Sequence, residues 1–183
     1  MLLTGLLPDI STDPAIETAT DSIEAGRSGV IVAPVGVRPP LLAAVSSRAA
    51  TPLVVLTATG RDAETLTNAL ASWIPGVAML PAWETLPHER LSPQVDTMAR
   101  RIAVLRRLVH PVEGDDSAGP ISVLVVPIRA FLQPIISGLA DLEPVRVRAG
   151  DIMDLTEVTN RLSELGYERV DMVEGRGQMS VRG

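Results

Sequence analysis

Few side chains in this 183-residue chain are equipped for chemistry. All sixteen basic residues are arginine, and without lysine neither Schiff-base catalysis nor a lysine-held phosphate is available. Cysteine is absent too, which removes thiolate nucleophiles, disulfides and zinc sites built on sulfur. General acid–base or metal work falls to two histidines, His88 in a loop and His110 at a helix end. Glu84, His88 and Glu89 crowd between prolines as a conceivable acid–base set. The same stretch also reads as a plug, with Trp83 and Leu86 closing a sheet edge while the charges stay wet. No nucleophile or metal-ligand spacing accompanies it, so the plug is the better reading. Arg100, Arg101, Arg106 and Arg107 offer phosphate contacts or a solvated helix face, and the solvated face is the commoner use of such a run. Arg182, with Gln178 and Ser180 on the polar side of a terminal strand, is a better candidate for a partner contact, because arginine is favoured at binding hot spots.

These residues need a scaffold, and hydrophobic periodicity supplies one. Asp13 caps a lead-in helix with Pro14 at its first position and Ile16, Ala19 and Ile23 on the buried side. Four short apolar runs, 29–33, 52–57, 77–80 and 121–126, alternate with helical segments over 40–48, over a stretch carrying Leu66, Leu70 and Trp73, and over a long arginine-rich stretch. This order predicts an α/β fold with a mainly parallel sheet and helices on both faces. For the long helix, Ser92 is the expected N-cap and Pro93 the first residue, with Val95, Met98, Ile102, Leu105 and Val109 as the buried stripe. Asp96 and Arg100 stand in the favourable acid-first order, four apart.

From about 141 the pattern changes to that of a smaller α+β unit. A strand is expected over 144–148 and a helix opening at Asp154-Leu-Thr-Glu157, with Leu155, Val158, Leu162 and Leu165 buried and Gly166 ending it. Strands over 169–173 and 178–182 should form a hairpin through Glu174-Gly-Arg-Gly177. So little material cannot enclose a core, and the division expected is an α/β domain over 1–140 followed by an incomplete second domain over 141–183.

Composition narrows the function further. A net charge of −6 opposes affinity of the whole surface for nucleic acid. No apolar stretch approaches the roughly 20 residues of a membrane span, nor does the start resemble a signal peptide, so a cytoplasmic protein is expected. The acidic, glycine-containing loop 113–120 lacks the spacing of a calcium loop and reads as solvated surface. The turn Ala33-Pro-Val-Gly-Val-Arg-Pro-Pro40 sits where a nucleotide-binding domain carries its phosphate loop. With one glycine, no lysine and three prolines it reads as a structural turn.

Trp83-Glu-Thr-Leu-Pro87, followed by Ser92-Pro93, Asp96 and Arg100 or Arg101, resembles the N-terminal UvrB-homology region of the bacterial transcription-repair coupling factor (Mfd) family. Gly166-Tyr-Glu-Arg-Val-Asp171 through Gly177 and Val181-Arg-Gly183 resembles the next landmark of that family, in the same order. The resemblance extends over about residues 25–183, and His88 stands where the family often has an aromatic. It implies a RecA-like domain with a degenerate P-loop, then the start of a smaller domain that binds UvrA in nucleotide excision repair. The arginine matching Arg182 would belong to the UvrA surface, with other contributors further along the chain. The ATP-dependent translocase motor, and the regions that engage RNA polymerase and DNA, are absent, so a non-catalytic module without cofactor is expected. The alternatives are a nucleotide-dependent α/β enzyme with a divergent phosphate loop, or a DNA-contacting helicase fragment.

Overall fold

The computed structural model describes residues 2–85 and 92–182. The sequence-based expectations for Leu86, His88 and Glu89 lie outside the described residues. Helices α1 (Leu7–Ser11), α2 (Pro14–Glu24) and α3 (Arg38–Arg48) come first. Strand β1 (Leu53–Thr57), helix α4 (Gly60–Leu70), strand β2 (Val77–Met79), helix α5 (Val95–Val109), strand β3 (Val123–Pro127) and the short helix α6 (Ile128–Phe131) follow.

The three strands form one parallel sheet in the order β1-β3-β2. β3 is its centre and is buried along its whole length, as a parallel strand covered on both faces must be. On one face Val123 and Val125, with Leu53, Val55, Val77 and Met79, pack against Leu7, Ala43, Ala63 and Leu70 from the helical layer of α1, α3 and α4, and against Ile74 just beyond α4. On the other, Ala78, Leu80, Leu124 and Val126 meet Val104 of α5 and Ala130 of α6. That second layer does not extend over β1, where Val54 and Leu56 remain about half exposed, 51% and 47%. The chain is thus a mixed α/β protein with a small parallel sheet and helices on both faces.

The apolar run 29–33 is not a strand. It lies outside the ladder with Val30 and Val32 almost fully exposed, at 92% and 94%. β propensity is realised only against a neighbouring edge, and here the ladder is completed by β1, β3 and β2. The stretch 144–148 likewise makes no ladder, and Val147 is exposed.

The local helix signals act as written. Asp13 accepts from the Ala15 and Ile16 amides, and Arg48 ties α2 to α3 through Glu24 and Asp21. Helix α5 departs from expectation at its start. Gln94 is extended and helical geometry begins at Val95, so Ser92 and Pro93 lie upstream and no side chain caps the first amides. Its buried face is also rotated: Thr97, Arg101, Val104 and Leu105 are buried, while Val95, Met98 and Val109 are exposed.

Towards the end of the chain, helix α7 (Leu155–Glu164) starts where expected, and Asp154 accepts from the Thr156 and Glu157 amides. Gly166 follows with φ of 86°. None of α7 is buried, and Leu155 is mostly exposed, so the expected buried stripe is only partly covered. The Glu157 amide, then the Thr156 amide, hold the Asp154 carboxyl below the usual carboxylate range. A depressed folded pKa places the cap's contribution above the unfolded value of about 3.9 and removes it as pH falls through the folded value. Amide shifts of Thr156 and Glu157 should therefore hold steady from neutral pH to about pH 4 and move together below it, and an NMR titration that moved them nearer neutrality would contradict the cap.

Candidate functional site

Strands β4 (Glu168–Arg169) and β5 (Gln178–Met179) pair parallel, not as the hairpin expected for 169–182. Glu168↔Gln178 and Arg169↔Met179 are in register, extended by Glu168 N–H to the Gly177 carbonyl and Val170 N–H to the Met179 carbonyl. The connecting segment 170–177 must loop out and re-enter in the same direction. Side chains of β5 and the residues after it tie that loop down. The Gln178 carbonyl Oε1 accepts from the Glu174 and Gly175 amides at 2.9 and 3.1 Å. Ser180 Oγ and Arg182 Nη2 both donate to the Asp171 carbonyl, at 3.0 and 3.2 Å. Met179 is buried, whereas Arg182 remains exposed. The three sequence candidates Gln178, Ser180 and Arg182 are thus brought together around one loop, each holding its backbone.

The loop is also anchored to α5. Arg176 pairs with Asp96 at 3.2 Å, and Asp96 in turn pairs with Arg100. A Cβ on Gly177 would sit in ordinary contact with Val95 Cγ1, 3.4 Å away, so the loop passes beside the start of α5, and the φ of 81° is what favours glycine there. Nothing local in the sequence signals Arg176 with Asp96, or the Asp171 carbonyl, as partners.

The four arginines of α5 do not make one solvated face. Arg100 is engaged by Asp96, and Arg106 donates to the Leu142 carbonyl. Arg107 donates to the carbonyls of Gly119 and Pro120 and so closes the 113–120 loop. Within that loop Asp115 Oδ1 accepts from the Ser117 and Ala118 amides and the Ser117 hydroxyl. Arg101 is buried. Its guanidinium lies 4.4 Å from the centre of the Trp83 ring and donates to the Pro81 carbonyl. A planar, delocalised cation suits such a stacked position as an ammonium would not.

Around this stack the Trp83 segment is pinned by long-range bonds. The Trp83 amide donates to Gln133 Oε1, Gln133 Nε2 donates back to the Trp83 carbonyl, and Arg129 donates to the Glu84 carbonyl. Glu84 accepts from the Thr97 hydroxyl, the chief reason its carboxyl is held below the usual range. Glu84 therefore serves as an acceptor within the joint between this segment and α5. His110 sits at the α5 C-cap with Nε2 on Asp141 Oδ1 at 2.7 Å.

The 33–40 turn forms a short 3-10 segment, Val35–Val37, running into α3. The second and third residues of α3 are Pro39 and Pro40, which remove two of the amides a helix start would offer an anion. Among the described residues there is no group of three or more His, Asp or Glu placed to hold a metal, and no helix is long and apolar enough to cross a membrane.

Residues 145–183 match the family model described as the UvrB interaction domain. The matched stretch follows the parallel sheet in the chain, and the strand pair with its tied loop falls inside it. Over 156 residues, 84% of its length, it is 46% identical to the transcription-repair-coupling factor of Mycobacterium tuberculosis. It is 26% identical to that of Escherichia coli over 78% of its length, and 26% identical to that of Bacillus subtilis over 91%. The chain belongs to the transcription-repair-coupling factor family, and it spans about 12% of the length of the relatives from the first two of these organisms and 13% of the third.

Proposed function

We propose that this chain acts as a non-catalytic interaction module that recruits UvrA in transcription-coupled nucleotide excision repair, in the cytoplasm and as part of a longer protein. The observation that carries the reading is the UvrB-interaction-domain match over 145–183, which contains Gln178, Ser180 and the exposed Arg182. In this reading residues 1–140 are a RecA-like scaffold with a degenerate nucleotide site, and 141–183 begin the partner-binding domain. Pro39 and Pro40 at the start of α3 support a scaffold role, since they withdraw the backbone donors that phosphate binding uses. Contacts with RNA polymerase and DNA belong to other parts of the longer protein.

The test is binding of purified UvrA to this chain and to a chain extended toward the length of its relatives, with magnesium-ATP calorimetry alongside. UvrA should bind the extended chain, Arg182→Ala should weaken that binding by about thirtyfold, the effect of a hot-spot residue, and ATP should give no heat of binding. Equal UvrA affinity in the variant would remove Arg182 from the site. Saturable ATP binding by the chain itself would instead favour a nucleotide-dependent enzyme.

A further inference from the structure

The 170–177 loop presents an apolar pair that its surroundings neither bury nor use. Met172 and Val173 are 62% and 51% exposed, directly after the Asp171 carbonyl that receives Ser180 and Arg182. Two large apolar side chains in water are ordinary on a floppy loop. This loop is held at both ends: by the parallel β4–β5 pairing at its base, by Gln178 at Glu174 and Gly175, and by Arg176 on Asp96. Holding exposed apolar side chains in a fixed position lowers the ordering cost of binding, the usual design of a protein contact.

Building on the UvrA reading, we infer that Met172 and Val173 are contact residues for UvrA beside Arg182, and that Gln178 and Ser180, with the bond from Arg182 to Asp171, hold the loop carrying them. The partner surface this fits is an apolar depression rimmed by hydrogen-bond acceptors. Met172 and Val173 enter it, while the donors of Arg182 not used on Asp171 face its rim. Arg182 thus acts through the Asp171 carbonyl as well as through its exposed charge. Gln178 acts as an acceptor alone, because both of its loop bonds end on Oε1. That leads to a distinction that a simple contact role would not produce. Glutamate at 178 keeps an acceptor oxygen and should preserve the loop, whereas leucine, similar in size, should release it.

The experiment combines UvrA binding by the extended chain with amide hydrogen exchange at Glu174 and Gly175. Met172→Asp and Val173→Asp, both at exposed positions where folding is spared, should each weaken UvrA binding by at least about tenfold and leave exchange at Glu174 and Gly175 unchanged. Gln178→Leu should speed exchange at both amides and weaken binding, and Gln178→Glu should restore both. Wild-type-like affinity in both aspartate variants, with wild type binding UvrA, overturns the contact role while leaving the UvrA reading intact. Unchanged exchange in Gln178→Leu overturns the positioning role. If the extended wild-type chain does not bind UvrA, the proposed function falls and this surface falls with it.

Discussion

Arg101→Ala should lower the unfolding free energy by about 3 kcal/mol, because two separate interactions and a filled volume depend on one side chain. Arg101 is 1% exposed, stacked on Trp83 and bonded to the Pro81 carbonyl. A hydrogen bond from a charged donor is worth about 1.5–3 kcal/mol and a desolvated cation–π contact about 2, and truncation leaves a cavity as well. Against these stands the cost of keeping a guanidinium out of water, which also lowers its pKa. Its Nε has no partner among the described residues, so that cost is not fully offset. The opposing terms make the choice of replacement informative. Arg101→Met refills the volume and removes the buried charge, and should cost roughly 1 kcal/mol or less, as buried charges replaced by apolar side chains often do. Arg101→Lys keeps the charge without the planar stack and should fall between the two. Urea unfolding measures the ranking, and fluorescence of Trp83, one of two tryptophans, reports loss of the stack. An alanine variant within experimental error of the methionine variant would contradict this account.

Gly76→Ala should be comparably damaging for a backbone reason, by about 2–4 kcal/mol. Gly76 leads into β2 with φ of 73°, a left-handed conformation that costs an L residue about 1–2 kcal/mol. A Cβ there would stand 2.7 Å from Ser122 Oγ and 2.9 Å from the Pro120 carbonyl oxygen. The hydroxyl can rotate away, but the carbonyl cannot. The Gly76 carbonyl also accepts the Ser122 amide at 2.8 Å, and the Ser122 carbonyl receives the Leu53 amide and the Ser46 hydroxyl. Displacing Gly76 therefore strains the entry to all three strands and the end of α3. Gly60→Ala is the control: its Cβ would meet nothing within 4 Å at the start of α4, so it should be neutral or slightly stabilising. Equal losses at positions 60 and 76 would contradict this account.

Both sites bear on how far this chain can be read from its sequence. That 76 needs a glycine is visible only once Pro120 and Ser122 are beside it, and Arg101 belongs to a helix whose apolar spacing points elsewhere. The stripe through Val95, Met98, Ile102, Leu105 and Val109 assumes that charge faces water. Trp83 and the Pro81 carbonyl supply a buried place for one charge, and the helix turns so that Thr97, Arg101, Val104 and Leu105 face inward.

The partner-binding candidates divide in the same way. Gln178, Ser180 and Arg182 are expected on one strand over 178–182; β5 ends at Met179, yet the three do gather around one loop. What they hold there was not legible, because parallel pairing of β4 with β5 replaces the expected hairpin. Glu174-Gly-Arg-Gly177 reads as a turn by composition, yet Gln178 bonds across it and the Asp171 carbonyl is captured from beyond it.

By itself, the sequence determined whatever depends on near neighbours along the chain. The caps at Asp13 and Asp154 reach two and three residues ahead, the αL stop at Gly166 depends on its own φ, and the apolar runs at β1, β2 and β3 mark strands by composition. The lysine-free composition and the family motifs belong to this group as well. Tertiary structure alone decided which runs found an edge. It placed β3 between β1 and β2, left 29–33 and Val54 and Leu56 uncovered, joined Trp83 to Gln133 across 50 residues, and paired His110 with Asp141 across 31. The physical reason is range: a cap or turn is satisfied by atoms a few bonds away, whereas a strand edge, a buried cation or a left-handed glycine depends on neighbours that only the folded chain brings within reach.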